Sequence, residues 1–315
     1  MLAVLGALFA NGLITVLKFI GAMMTGSAGL MAESFHSLAD TTNQVFLLLG
    51  LRFYRRPASE KHPFGYGKER FFWSFIAAIF IFGVGATYAI YEGVVKLYHP
   101  HPPENLGWAY IILGASFVIE LGSIGLAIYQ EVNEARHEGM SFREYLRESK
   151  DPTAKTVLFE DTAALIGIVI AAAGLYLTEH HAGPGGGAYW DGVASITIGL
   201  VLAVVAFALA RSSRGLLLGE AATKKCLGAI RAAIEAHPNV EEVVELLTMH
   251  LAPKQILINA HVQFRDDLAT ADIERTIKEV ERDIKAAEPM VDMIFLETAR
   301  RSEPGPDEPI PLHIG

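Results

Sequence analysis

Six mostly apolar stretches recur along this chain, at roughly Leu2–Met24, Gly29–Leu51, Phe71–Leu97, Trp108–Gln130, Val157–Leu177 and Tyr189–Arg211. Each approaches the about 20 apolar residues that a helix needs to cross a bilayer core. Lipid offers the backbone no hydrogen-bond partners, so such runs are expected as helices. The first stretch lacks a basic leader and a small-residue cleavage site followed by a soluble protein, so it reads as a span and not as a signal peptide. Only 19% of the 315 residues are charged, and the mean hydropathy is +0.32. A soluble domain carries about 25% charged residues, so an ordinary soluble enzyme is excluded. A net charge of −9 excludes a generally basic nucleic-acid binder, and no nucleic-acid partner is expected. One cysteine, Cys226, excludes a disulfide scaffold and a Cys-rich zinc module; it is expected as a small core residue.

Basic residues orient the spans. Arg52, Arg55, Arg56, Lys61, Lys68 and Arg70 lie between spans two and three. Arg136, Arg143, Arg147, Lys150 and Lys155 lie between spans four and five. On the other side Lys96 ends span three, and the loops near Thr25 and Gly185 have no basic residue. Both basic loops, the tail and both termini are therefore expected to be cytoplasmic. Trp73, Trp108, Tyr110 and Trp190 sit near span ends as interface anchors. No clear targeting peptide is visible, and a bacterial cytoplasmic (cell inner) membrane is the expected host.

Composition changes near residue 211. Of 26 Lys+Arg, 12 lie beyond that point, as do 18 of 35 Asp+Glu. The expected domains are a transmembrane unit over 1–211 and a soluble unit over 212–315. Within the latter, Ala221–Ala236 has helical periodicity, and His237-Pro238-Asn239 breaks it. Val240–Met249 and Ile256–Phe264 read as strands around Ala252-Pro253-Lys254. Ala271–Ala287 is an amphipathic helix with Ile273, Ile277, Val280 and Ile284 on one face, and Val291–Leu296 is a third strand. The α-β-β-α-β order predicts a small α+β domain of ferredoxin-like or metallochaperone-like type. A flexible outer loop is expected over Gly183–Gly187 and a frayed Pro- and Glu-rich tail at the end.

Ionisable residues inside spans are costly and mark function by default. His36 and Asp40 in span two are four apart and share one helical face. They can chelate one divalent ion or make a hydrogen-bonded helix contact. Glu160 and Asp161 lie just inside span five, and Glu120 is deep in the apolar run of span four. Span one holds Asn11 and Lys18; the lysine is expected to snorkel outward or pair with a carboxylate. Glu33 and Asp191 lie near span ends, where facing water or capping a helix is expected.

Ala32-Glu33-Ser34-Phe35-His36-Ser37-Leu38-Ala39-Asp40 resembles the second-helix signature of the cation diffusion facilitator family, the solute carrier 30-like zinc transporters. His62-Pro63-Phe64-Gly65-Tyr66-Gly67-Lys68-Glu69 resembles the loop that follows it. His36–Gln44, Tyr98-His99-Pro100-His101-Pro102 and Val157–Ala164 look like the branch containing the mitochondrial zinc transporter. The resemblance covers nearly the whole chain. It implies a polytopic α-helical membrane protein with six transmembrane helices and a cytoplasmic α+β domain, assembled as a homodimer. It also implies export of a divalent metal against inward proton flow, at a site between helices two and five. Carried over, the ligands are His36, Asp40 and Asp161. The second histidine belongs at 157, where this chain has Val157. Glu120 is the first candidate to fill the gap, with water as another. Glu160, about 100° around the helix from Asp161, is expected to point elsewhere. Replacing imidazole by oxygen softens the preference for zinc and admits manganese, iron or cobalt.

Other ligand positions of the family look degraded. Tyr66 stands where the loop often has a histidine, and Leu296 and Thr298 stand where some tails place ligands. His250 and His261 can face each other across strands, yet neither they nor His62 and His237 are expected to bind metal. The leading function is a proton-coupled antiporter of zinc working by alternating access, because ligands must lose protons to bind metal. No prosthetic group is expected; metal ions, protons and lipid are the partners. A zinc hydrolase is disfavoured, since no nucleophile, second histidine cluster or substrate pocket is visible. A non-transporting regulatory subunit leaves the buried charges without a use.

Overall fold

The computed structural model describes residues 2–137, 139–148, 152–181 and 187–300. The loop expected over Gly183–Gly187 (Gly187 apart), Lys150 and the tail beyond residue 300 lie outside them. The chain divides into two compact units, Met1–Leu218 and Gly219–Gly315.

The first unit is helical: α1 (Leu2–Thr25), α2 (Ala28–Tyr54), α3 (Glu69–Phe80), α4 (Thr87–Tyr98), α5 (Leu106–His137), α6 (Phe142–Glu148), α7 (Pro152–His180) and α8 (Tyr189–Leu218). A π-helical stretch, Ile81–Ala86, joins α3 to α4, making one continuous helix over Glu69–Tyr98. Glu69–Tyr98, Leu106–His137, Thr156–His180 and Tyr189–Leu218 are four helices long and apolar enough to cross a membrane, and Asn11–Thr25 is a shorter apolar one. Although α2 has 27 residues, Glu33, Asp40 and the run Thr41-Thr42-Asn43-Gln44 dilute its hydropathy. Val118, Val204 and Phe207 are 68–69% exposed. That apolar surface is suited to lipid and not to water.

The chain reverses between α1 and α2 at Gly26, whose φ of +61° is the left-handed conformation that ends helices at glycine. Ser27 then caps α2, its hydroxyl accepting from Leu30 N. Between α4 and α8 the backbones nearly touch: a Cβ on Gly93 would lie 2.6 Å from the Gly192 carbonyl oxygen. Ser195 donates to the Ala89 carbonyl oxygen at 2.7 Å across the same seam. Small residues permit close packing where no water drives association. At one end of the unit Lys68 Nζ reaches the Leu217 carbonyl oxygen at 3.3 Å. At the other, Glu104 N donates to Thr25 O at 2.7 Å. The basic α2–α3 loop therefore shares an end with the C-terminus of α8. Although the sequence turns polar at Ser212, α8 continues to Leu218, because Ser213 and Leu216 prolong its buried stripe beyond Leu209.

In the second unit, α9 (Lys224–Glu235) starts at Thr223, whose hydroxyl accepts from Cys226 N. It is followed by β1 (Val240–Ala252), β2 (Gln255–Phe264), α10 (Thr270–Ala287) and β3 (Val291–Thr298). The sheet order is β1-β2-β3, antiparallel then parallel, with α10 as the crossover. Ile256, Ile258, Ala260 and Val262 alternate along β2 and pack with Ile230 and Ile234 of α9 and Val280 and Ile284 of α10, as period-2 strands and a 3.6-period helix require. Cys226 is part of this core; burial and nearby Glu288 push its thiol up to about 12. The strand register opposes His261 to Glu245 and His250 to Ile256. The two histidines therefore do not face each other, and His261 lies between Glu245 (3.2 Å) and Glu297 (3.4 Å). His237 pairs with Glu279 at 2.9 Å.

Candidate functional site

A polar pocket of about 50 Å3 opens among α1, α2, α5 and α7, large enough for a cation with a few waters. Asp40 and Asn43 reach it from α2, Glu120 and Ser123 from α5, and Val157, Glu160 and Asp161 from α7. Each contribution follows helix periodicity: Asp40 and Asn43 are three apart, as are Glu120 and Ser123, and Val157 and Asp161 are four apart, so each pair shares a face.

His36 stands one turn above Asp40, its Nε2 3.4 Å from Asp40 Oδ2. The ring is 1% exposed and neither ring nitrogen has a hydrogen-bond partner. Asp40 Oδ1 is likewise unpartnered. Such buried, unspent polar atoms are rare in folded proteins and need a reason. Asp161 accepts a hydrogen bond from Ser123 Oγ at 2.8 Å. Of the four residues carried over or nominated from the sequence, Asp40, Glu120 and Asp161 line the pocket and His36 lies behind Asp40. Val157, at the position where the resemblance expects a histidine, lines the pocket too. Among the described residues no three His, Cys, Asp or Glu side chains converge tightly enough to hold a metal ion.

Glu160 departs from expectation. It points at α2 and is buried beside Asn43, whose Nδ2 lies 2.7 and 2.6 Å from its two carboxylate oxygens. Helix α7 lies between α2 and α5, so adjacent residues can serve both neighbours: Asp161 turns to α5 and Glu160 to α2.

The comparisons with known proteins bear on this geometry. A family model for the cation efflux transmembrane domain matches residues 4–218. The chain belongs to the cation efflux family. A model for the cytoplasmic domain of cation efflux proteins matches residues 223–295. The resemblance read from His36–Gln44 and His62–Glu69 is thereby shown, and with it a multi-pass membrane protein of a transporter family, not an enzyme. The chain is 33% identical over 284 residues to the human protein named proton-coupled zinc antiporter SLC30A9, mitochondrial, covering 88% of this chain and 49% of that one. It is 35% identical to metal tolerance protein C4 of Arabidopsis thaliana, covering 88% and 60%. To the metal cation efflux system protein CzcD of Cupriavidus metallidurans it is 24% identical, covering 81% and 74%. The chain thus spans about half the length of the human relative.

Two further charge pairs tie the helices of this family member together. Lys18 does not snorkel: it is wholly buried and lies 3.2 Å from Glu33 Oε2 and 2.7 Å from Ser37 Oγ. Glu33, expected near water, is equally buried, and its other oxygen packs so closely on Gly167 that any Cβ there would collide with it. Asp191 caps a helix, but not its own. It accepts from Ser27 Oγ (2.8 Å), Ala28 N (2.7 Å) and Gly29 N (3.0 Å) at the start of α2. Lys96 Nζ lies 3.6 Å from Asp191 Oδ2 and 2.5 Å from Gly26 O.

Asn43 and Ser123, not singled out in the sequence, line the pocket, as does Glu160, which was expected to point elsewhere. The signal was present for Asn43, which is seven residues beyond His36 and three beyond Asp40 on one helical face. Ser123 follows Glu120 by the same rule.

Proposed function

We propose that this chain exports a divalent cation, with zinc as its first substrate, in exchange for protons. The observation that carries this reading is a pocket with four carboxylates, Asp40, Glu120, Glu160 and Asp161, inside a mostly apolar helical unit whose other buried carboxylates, Glu33 and Asp191, each have a lysine. Among the described residues no Lys or Arg pairs with any of the four. Uncompensated charge in such a place costs several kcal/mol, and a bound divalent cation removes that cost. His36 and Asp40 from α2 and Asp161 from α7 are the ligands we assign, with Glu120 as the added oxygen. Protons compete for the same atoms, because carboxylate and imidazole ligands bind metal only when deprotonated. Exposing the site to each side in turn then exchanges metal for protons. The human relative's name, a proton-coupled zinc antiporter, supports this reading.

The same reading has six spans, α1, α2, α3 with α4, α5, α7 and α8, and places both termini on the cytoplasmic side of a cell membrane by the distribution of Lys and Arg. The α-β-β-α-β order of the second unit fits a ferredoxin-like domain, and the family resemblance supports a homodimer. Purified protein in vesicles is expected to move Zn2+ faster when a pH gradient is imposed. Flux indifferent to the gradient would remove the coupling, and absence of flux would remove the transport.

Val157 supports a second reading, a relaxed preference that includes manganese, iron or cobalt. It puts a hydrocarbon where an imidazole would add a nitrogen ligand. Val157→His restores that nitrogen one turn before Asp161. Nitrogen suits zinc better than manganese, so the ratio of zinc to manganese flux is expected to rise. If Glu120 instead completes a tuned zinc site, Val157→His lowers zinc flux and Glu120→Gln nearly abolishes it. Measuring both variants with both metals separates the two.

A further inference from the structure

We infer that Glu160 is a ligand of the transported ion and that Asn43 is the group it exchanges for that ion. The inference rests on the pocket being the transport site, and adds to it a residue and a way of keeping the empty site intact.

A carboxylate has about four acceptor positions. Glu160, 5% exposed, receives one amide group from Asn43 and no ion pair among the described residues. A single neutral donor shared by both oxygens leaves most of that capacity unspent in a place where water is scarce. Burying a charge so weakly compensated is unfavourable unless something else arrives. The partner is also incomplete: Asn43 is 1% exposed, lines the pocket, and its Oδ1 has no hydrogen-bond partner. Asp40 Oδ1, across one turn of α2, is unpartnered as well. The Glu160–Asn43 contact therefore sits at the edge of a pocket that presents unspent oxygens to whatever enters.

An entering divalent cation offers Glu160 far more than an amide does, because charge-assisted contacts are the stronger class. The carboxylate transfers from Asn43 Nδ2 to the ion. The amide returns when the ion leaves and spares Glu160 an orphaned state in between. With Glu160 included, the shell holds one imidazole and several carboxylate oxygens, which explains how a site lacking a histidine at 157 still reaches a full ligand number. Oxygen in place of nitrogen also gives up discrimination between zinc and manganese.

Zn2+ binding to the purified full chain, by titration calorimetry in detergent, tests this. Glu160→Gln keeps volume and a hydrogen bond to Asn43 but loses the charge; it is expected to weaken Zn2+ by about tenfold or more, since even groups that only orient a ligand cost about 10–100-fold. Asn43→Ala removes the competitor for Glu160 and is expected to tighten binding. A merely structural contact between α2 and α7 predicts equal weakening in both variants, and that result, or native affinity in Glu160→Gln, overturns the inference. Asp161→Asn separates the two levels: if it loses binding and Glu160→Gln does not, only the role of Glu160 falls. If both bind as the native chain, the pocket itself is not the site. Should Glu160→Gln yield no folded protein, Glu160→Asp, with its charge withdrawn by one methylene, carries the same comparison: weakened binding supports the assignment and native binding overturns it.

Discussion

Asp40→Ala or Asp161→Ala is expected to reduce Zn2+ flux by more than about 100-fold, beyond what removing a group that only orients a ligand costs. The protein should fold all the same. Asp40 Oδ1 has no partner to orphan. Removing Asp161 frees only the Ser123 hydroxyl, which can turn back to a carbonyl of its own helix. Asp40 pairs only within α2, the Ser123 hydroxyl is the one link from Asp161 to α5, and each carboxylate faces a cavity, so truncation opens no new void in a packed core. The check is flux in vesicles beside thermal unfolding of the same preparations. Native flux in both variants would remove the site. A large fall in melting temperature would show instead that the carboxylates hold the fold.

A second pair of substitutions, Asp191→Ala and Lys96→Met, should separate sharply in stability. Asp191 receives three hydrogen bonds from the start of α2 besides the Lys96 charge. Without Lys96 it keeps those three and the favourable end of the helix dipole. Without Asp191, a buried ammonium is left with the Gly26 carbonyl, and two backbone N–H groups of α2 lose their acceptor. Breaking a buried pair so that an uncompensated charge remains costs about 3–5 kcal/mol. Asp191→Ala is expected at the upper end of that range, and Lys96→Met lower, at about 1.5–3 kcal/mol, because it gives up the contacts to Asp191 and the Gly26 carbonyl but leaves Asp191 its three donors. Chemical denaturation in a mild detergent measures both. The reverse order would mean that Lys96, not Asp191, organises this end.

The contrast between these sites explains what could be read from the sequence. Of the six apolar stretches, four coincide with helices among the described residues that are long and apolar enough to cross a membrane, because hydropathy depends on local composition alone. His36, Asp40 and Asp161 are the ligands that spacing and resemblance nominate. For Glu33 and Asp191 depth says nothing about lateral neighbours: Glu33 is buried away from the water expected beside it, and Asp191 caps a helix as expected, but the start of α2 and not its own. Their partners lie elsewhere in the chain: Lys18, and the α2 start 162–164 residues away. Glu160 was misplaced for a geometric reason. The 100° offset from Asp161 turns Glu160 away from one neighbouring helix and toward the other, because α7 packs against both α2 and α5. In the tail, alternation and periodicity located every element, while the register that separates His250 from His261 depends on bulges along β1. No periodicity announced the π-helical stretch at Ile81–Ala86; Gly83 and Gly85 were its only trace.

That stretch makes chain length a structural quantity in the middle of a span. A π-turn takes in one residue more than an α-turn, so the helix beyond it is rotated relative to the helix before it. Straightening it into an unbroken α-helix with no residue removed would turn every residue from Thr87 to Tyr98 by about 100°. Gly93 would leave Gly192, Ser195 would lose the Ala89 carbonyl, and Lys96 would swing away from Asp191. Deleting one residue between Ile81 and Ala86 would let the same α-helix form with those residues kept in phase. The wide turn is thus the place in this helix where the chain can lose one residue without misaligning the contacts three turns away.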